Sequence, residues 1–506
     1  MNKIKKFTNN LITPGGTLSQ RVIKGGFWVF FLRMINQGFN LLRLIILARI
    51  LSPNDFGLMG IALLTMSILE TFSETGFQQA LIQKKEDIKS YLNSAWTFLI
   101  LRGFALFVIL YFIAPYAAVF FNTPEAKPII IVIGFSILFQ AFTNIGITYF
   151  KKELEFNKEF IYQLAGTLAD FIVAISAVLV LRNVWALVLG LLAGNITRCF
   201  VSYLIHPYRP RLHFVLERVK ELFGFGKWVL GSSILIFIGS QIDDISVGRL
   251  LGSAALGFYQ MAYNISNMPA TQITYVIGSI AFPAYSKVQD CQVRLKQVYF
   301  RIMKLTIAIS IPIAVGIFLL APEFTKIFLS GKWMPMILPM QLLAVAGLIK
   351  SVISTGSPLF TGSGHPNFEF YMQLIRGLII IIAIYPLTIY MGTSGAALCV
   401  ILSVIGMLVI WYPCSQNITK ASWREYANAF WPPILSSLFM AGSIYLSKLY
   451  WNPIQQPLIL AVLVFIGVGI LGIFVYIVVM YILQRCYPIY NIAEETKLIY
   501  KFLIGK

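Results

Sequence analysis

An all-α, polytopic membrane protein of about fourteen transmembrane helices is the fold class this sequence predicts, and three observations predict it. The first is balance: 58% of the 506 residues are hydrophobic and 12% charged, against roughly 25% charged in soluble domains. The second is the recurrence, from end to end, of apolar runs of roughly 20 residues, each long enough to cross a hydrocarbon core of about 30 Å. The third is the placement of Lys and Arg, which gather in alternate connections between the runs.

The runs follow a basic segment, 1–24, that has no apolar stretch of the signal-peptide kind. The first helix (25–51) contains RMINQGFNLLR and ends at the Ser-Pro of LSPNDFG. At about 100° per residue, Arg33, Asn36, Gln37, Asn40 and Arg43 fall on one stripe of it. The second (57–82) has Ser67, Glu70, Glu74 and Gln78, the third (91–118) is mainly apolar, and the fourth (128–150) carries Gln140, Thr143 and Asn144. The fifth (160–181) has Gln163, Thr167 and Asp170, and the sixth (183–205) is apolar. A basic linker, 206–224, precedes the seventh helix (225–250), with Ser233, Ser240, Gln241 and Asp244 on a stripe and Asp243 beside it. The eighth (255–283) has Gln260, Asn264, Asn267 and Thr271, and the ninth (299–320) is apolar. The tenth (336–362) has Lys350, Ser354, Ser357 and Thr361, and the eleventh (367–390) has Glu369, Gln373 and Arg376. The twelfth (394–415), thirteenth (426–449) and wholly apolar fourteenth (457–484) complete the set, before a tail at 485–506.

An even number of spans puts both termini on one side. Of the 40 Lys and Arg, 26 fall in the segments on that side and 5 on the other, so the termini are expected in the cytoplasm. That distribution also accounts for the net charge of +20 without nucleic acid as a partner. The remaining 9 lie within spans, where each would cost about 2.5–3.5 kcal/mol at a lipid-facing helix centre. Arg49, Arg198, Lys227 and Arg249 stand near helix ends and are expected to snorkel. Arg33, Arg43, Lys350 and Arg376 stand deeper and need water or partners.

The polar stripes occupy helices 1, 2, 4 and 5 and then 7, 8, 10 and 11, one set of four repeated six helices later. A faint repeat at an offset of 200 agrees: Gly26, Trp28, Val29, Ile45, Arg49 and Leu51 match Gly226, Trp228, Val229, Ile245, Arg249 and Leu251. Two six-helix lobes, 25–205 and 225–415, with helices 13 and 14 (416–484) added outside the repeat, is the architecture of an alternating-access transporter. Stripes of Asn, Ser and Thr can equally join helices without lining a path.

The chemistry expected of the stripes is anion and sugar binding. Arg33, Arg43, Lys350 and Arg376 suit a diphosphate, since guanidinium groups present planar donors to phosphate oxygens. Asn36, Gln37, Asn40, Gln241, Asn264 and Asn267 offer the neutral donors and acceptors a sugar needs. Glu70, Glu74, Asp170, Asp243 and Asp244 are expected to couple an ion, either a proton or sodium, or to pair with those cations. No GxxxxGK[ST], GxGxxG, HExxH or GxSxG occurs, the five Cys are scattered, and the three His have no ligand spacing. No cofactor and no metal site are therefore expected, and an enzyme is the weaker reading because the loops opposite the termini are brief.

Several stretches together carry a family resemblance. ILARILSPNDFGLMGIALLTMSILETFSETGFQQALIQKKE (46–86), KKELEFNKEF (151–160) and VGRLLGSAALGFYQMAYNISNMPATQITYVIGSIAFPAYSKVQD (247–290) are similar to polysaccharide-transport flippases, the Wzx-like branch of the MOP (multidrug/oligosaccharidyl-lipid/polysaccharide) exporter superfamily. The resemblance implies a bacterial inner-membrane protein that moves an undecaprenyl-diphosphate-linked oligosaccharide outward for lipopolysaccharide or exopolysaccharide synthesis. It implies membrane lipids and polysaccharide polymerase or export proteins as partners. The alternatives are a drug or cation exporter of the same superfamily and, less in keeping with the short loops, a polymerase or ligase using the same lipid carrier.

Overall fold

The computed structural model describes residues 18–84, 87–153, 155–288, 291–451 and 456–486; the expectations for 1–17 and for the tail beyond 486 lie outside the described residues. Every regular element among them is helical. In chain order these are α1 (Leu18–Ile50), α2 (Pro53–Phe72), α3 (Phe77–Gln83), α4 (Lys89–Phe120), α5 (Ala126–Phe142), α6 (Thr148–Lys152), α7 (Phe156–Leu181) and α8 (Trp185–Ile205). The series continues with α9 (Leu216–Leu251), α10 (Ser253–Val288), α11 (Gln292–Phe324), α12 (Ile337–Ile353), α13 (Gly356–Gly362), α14 (Pro366–Thr419), α15 (Trp423–Tyr450) and α16 (Leu458–Cys486).

Among the described residues ten helices are long and apolar enough to cross a membrane, and twelve if two sharply bent pairs each form one span. The expected fourteen are consistent with this when the 36-residue α10 is added and the 54-residue α14 is taken as two arms. Those arms meet at Gly392, whose backbone (φ 60°, ψ −141°) is open to glycine and strained for other residues. Side chains that face outward along the spans are large and apolar, as along α16, where Ile459, Leu463, Ile470 and Phe474 are exposed. Such a surface belongs in lipid.

The described part divides into two compact units, one drawn from Met1–Ile238 with Gly252–Ala254 and one from Gly239–Leu251 with Ala255–Lys506. In the first unit, the LSPNDFG segment starts α2 through a reciprocal cap. The Ser52 hydroxyl accepts from Asp55 N–H at 3.3 Å, and the Asp55 carboxylate accepts from Ser52 N–H at 2.8 Å. Pro53 occupies the first helical position, where its missing N–H costs nothing. One turn on, Gly57 lies so close to Ser253 that a Cβ would stand 1.7 Å from the Ser253 carbonyl oxygen. Two stretches far apart in sequence, 51–57 and 252–254, therefore meet, and Ser253 also donates its hydroxyl to the Asn54 side chain.

Two expected spans are broken. The second run, 57–82, is interrupted at 73–76, where Gly76 takes a left-handed conformation (φ 62°) before α3. The Arg102 side chain from α4 covers the end of α2, donating to the carbonyls of Ser73 at 2.7 Å and Glu70 at 3.0 Å. The fourth run, 128–150, bends by 67° after α5. There Asn144 is a cap and not a stripe residue: its carboxamide oxygen accepts from Gly146 N–H at 2.9 Å, and its Nδ2 donates to the Tyr208 carbonyl at 2.6 Å. Both breaks leave carbonyl or N–H groups free, and a neighbouring side chain satisfies them, as membrane-depth backbone requires.

The connection 206–215 is strapped to the same unit. Asn93 Oδ1 accepts from Tyr208 O–H at 2.7 Å and Arg211 N–H at 2.9 Å, and Thr97 Oγ1 accepts from His213 N–H at 3.0 Å. Val219 and Leu222, at the start of α9, are buried with Phe77, Leu81, Ile88 and Leu92.

In the second unit, α15 and α16 pack on α11 through Met440, Ile444, Val468 and Leu319. Two polar links fix this packing: Lys448 Nζ lies 2.6 Å from Glu323 Oε1, and the Tyr476 hydroxyl donates to the Ala308 carbonyl at 2.7 Å. The Ser422–Glu425 capping box starts α15, and Glu425 also pairs with Lys296 at 2.7 Å.

Candidate functional site

In each unit, expected intramembrane cations gather in a cluster with a carboxylate. In the first, α1 packs on α7 through Phe39 against Phe171 (centroids 5.2 Å apart, edge to face) and Phe31 stacked on Phe160. That packing brings the Arg43 NH2 group to 3.0 Å from Asp170 Oδ1, with side-chain exposures of 23% and 17%. A pair this sheltered is screened little by salt.

Arg198 on α8 joins the pair, which corrects the expectation that it snorkels to the interface. Its charge acts on Asp170, and its NH1 donates to Asn195 Oδ1 at 3.2 Å. Three glycines make the room. A Cβ at Gly166 would stand 2.5 Å from the Arg198 Cγ and Nε, and one at Gly190 would stand 2.6 Å from Asp170 Oδ1. A Cβ at Gly194 would meet Asp170 Cβ at 3.1 Å. Small residues let transmembrane helices approach closely, and here they also clear a lane for two long polar side chains. The Nε atoms of Arg43 and Arg198 are buried without a hydrogen-bond partner in the structure, as is Asn36 Oδ1.

The other stripe residues of the first unit divide. Arg33 and Gln37 are half-buried on α1, and Asn40 is exposed. Glu70 belongs with Arg102 at the end of α2. Glu74 lies in the break after α2, with Gln79 Nε2 3.5 Å from its Oε1. Both glutamates thus stand with groups other than Arg43.

In the second unit, Asp243 is buried and its Oδ2 accepts from the Tyr259 hydroxyl at 2.7 Å. Lys350 on α12 reaches the Tyr263 hydroxyl at 3.5 Å, the outer limit of a hydrogen bond. Arg376 on α14 lies along α9, its NH1 3.5 Å from where a Gly239 Cβ would be, and its charge acts on both Asp243 and Lys350. Asp244 Oδ1 and Arg376 Nε are buried without hydrogen-bond partners in the structure. Asn267 is buried against α12, near Gly347, whereas Asn264 is exposed and Gln241 half-buried.

Chemically, each cluster holds at least two cations, at least one carboxylate and buried N–H groups not yet used. Such a group has the chemistry to receive an anion with several oxygens. The helix stripes that supply Arg43, Asp170 and Asp244 are visible as period-3.6 patterns, with Asp243 beside the last of them. Arg198, Arg102, Tyr259 and Tyr263 are not. The signal for Arg198 was Gly190-Leu-Leu-Ala-Gly194, a GxxxG lane one turn before it.

Comparison with known proteins gives the same direction. A family model described as "Polysaccharide biosynthesis protein" matches residues 46–338. The lipopolysaccharide biosynthesis protein WzxC of Escherichia coli (strain K12) is 25% identical over 429 residues, which span 83% of this chain and 86% of that one. Among solved structures, the lipid II flippase MurJ in an inward closed conformation aligns with a TM-score of 0.73 at 17% identity, covering 91% of this chain and 98% of that one. An inward-facing multidrug resistance MATE family transporter of the MOP superfamily aligns with a TM-score of 0.60 at 16% identity, covering 82% and 97%. These likenesses establish a transporter fold.

Proposed function

Because the chain belongs to the polysaccharide biosynthesis protein family, we propose that it is a flippase, carrying an undecaprenyl-diphosphate-linked oligosaccharide from the cytoplasmic to the outer leaflet of a bacterial inner membrane. The reaction is translocation, with no covalent change in the cargo. The names of WzxC, a lipopolysaccharide biosynthesis protein, and of MurJ, a lipid II flippase, favour this cargo class.

The observation that carries the reading is the pair of intramembrane cation clusters, Arg43 with Arg198 and Lys350 with Arg376. A charge costs several kcal/mol at a lipid-facing site, so cations kept at this depth need an anion, fixed or visiting. A lipid diphosphate is such a visitor. Its sugar is served by Asn36, Gln37, Asn40, Gln241, Asn264 and Asn267, and its prenyl tail stays in lipid. Residues 25–205 and 225–415 act as the two rocking lobes of an alternating-access cycle, with both termini in the cytoplasm. Asp243 and Asp244 carry the coupling ion, a proton or sodium, and the export and polymerising proteins take up the product.

The test is reconstitution of the purified protein into vesicles loaded with lipid-linked oligosaccharide. The reading requires protein-dependent appearance of the cargo in the opposite leaflet at unchanged mass. A changed mass would instead make the chain a polymerase or ligase.

A further inference from the structure

The Arg43–Asp170–Arg198 cluster contains more positive charge than its one carboxylate can satisfy. Arg43 NH2 faces Asp170 Oδ1 as an ion pair at 3.0 Å, Arg198 uses NH1 toward Asn195, and the Nε of each guanidinium, like Asp170 Oδ1 itself, is buried with no hydrogen-bond partner. Two guanidinium groups near one carboxylate leave the cluster with one positive charge in excess, in surroundings where water screens little. The space for them is built into the sequence: without the bare Cα atoms of Gly166, Gly190 and Gly194, neither the Arg198 side chain nor the Asp170 carboxylate would fit where it lies.

From this geometry we infer that Asp170 is an internal stand-in for the cargo's phosphate, and that Arg198 is a second phosphate ligand beside Arg43. The inference rests on the flippase reading and deepens it. In the resting protein the carboxylate occupies the donor set. A diphosphate carries two charges and several oxygens, so it matches two guanidinium forks better than a single carboxylate does. It displaces Asp170, and Asp170 retakes Arg43 when the cargo leaves. Competition of this kind keeps binding weak enough for release, which every transport site requires. Asp170 therefore sets turnover, whereas Arg43 and Arg198 set affinity.

The experiment measures binding of inorganic diphosphate to the purified full chain in detergent by calorimetry, beside vesicle translocation of lipid-linked oligosaccharide. The proteins are wild type, Asp170→Asn, Arg43→Gln, Arg198→Gln and Arg198→Lys, each first shown to be monodisperse. Removing the competing carboxylate should tighten diphosphate binding by about tenfold, the usual scale of one coupled charge, while slowing translocation. Arg43→Gln and Arg198→Gln should each weaken binding by about tenfold, and Arg198→Lys should recover part of it because it keeps the charge but loses the fork. If Asp170→Asn binds diphosphate as wild type does or more weakly, the carboxylate only pins Arg43 and the inference fails. Wild-type binding by Arg198→Gln removes Arg198 from the site. A wild type that translocates cargo yet binds no diphosphate, or binds it equally in every variant, overturns the inference and spares the flippase reading. The predicted order of binding without any translocation overturns the flippase reading and spares the anion site.

Discussion

Arg43 is where sequence, structure and proposed chemistry meet. Its partner at 3.0 Å, Asp170, is on a different helix, so truncation removes the proposed phosphate donor and also leaves a sheltered carboxylate alone. A charged hydrogen bond is worth about 1.5–3 kcal/mol, and about 1.4 kcal/mol is tenfold in an equilibrium. Arg43→Ala should therefore lower polysaccharide export by about tenfold or more while the protein still inserts, as surface export and membrane immunoblot would show together. His206 offers a second residue-scale prediction, outside the spans. Burial, then the nearby Lys158 and Arg209 charges, push its pKa below the ordinary value of 6.5, with Glu155 opposing them. Its ring stacks on Tyr149, and its Nδ1 accepts from Tyr208 N–H at 3.1 Å, a bond that only the unprotonated nitrogen makes. With the folded pKa lowered, the contribution is complete above the unfolded value of 6.5 and is lost as pH falls below it through the lower folded value. Wild-type melting temperature in detergent should therefore drop between about pH 7.5 and about pH 5.5, and the drop should be smaller in His206→Gln.

At the scale of elements, the helix breaks carry the structural predictions. Arg102 covers the open end of α2 with bonds to Ser73 and Glu70. Arg102→Ala should lower stability by about 1.5–3 kcal/mol, because part-buried carbonyls lose a charged donor, and Arg102→Lys should restore only part, as a thermal-unfolding series would register. Gly57→Ala should be poorly tolerated, since its Cβ would stand 1.7 Å from a carbonyl oxygen; reduced yield of folded protein by size-exclusion chromatography is the expected sign. These breaks also show what the sequence concealed. Apolar composition runs straight through 57–82 and 128–150, and hydropathy cannot see a backbone turn. SETG (73–76) and Thr-Asn (143–144) are turn signals, but Glu74, Thr143 and Asn144 also fit helical polar stripes, which masks them. Arg43 and Asp170 were legible because helical periodicity puts them on inward stripes. Arg198 was not, because its nearness to a helix end points to an exit at the interface, and only the glycine lane on its own helix, with Gly166 on the facing one, reverses that.

For the whole molecule, fold class was the most legible property, since hydrocarbon leaves a chain this apolar few choices besides bundled helices. The kink at Gly392 and the packing of α15 and α16 on α11 needed tertiary information, because Lys448 and Glu323 are 125 residues apart and no periodicity links them. Function at this scale is a vectorial claim: cargo changes side and nothing else. The most direct measurement is the leaflet accessibility of the lipid-linked oligosaccharide in cells deleted for this protein. The account predicts an intermediate that accumulates facing the cytoplasm and is cleared by the wild-type gene but not by Arg43→Ala. An intermediate that reaches the outer face normally in the deleted cells, yet stays unpolymerised, would contradict it.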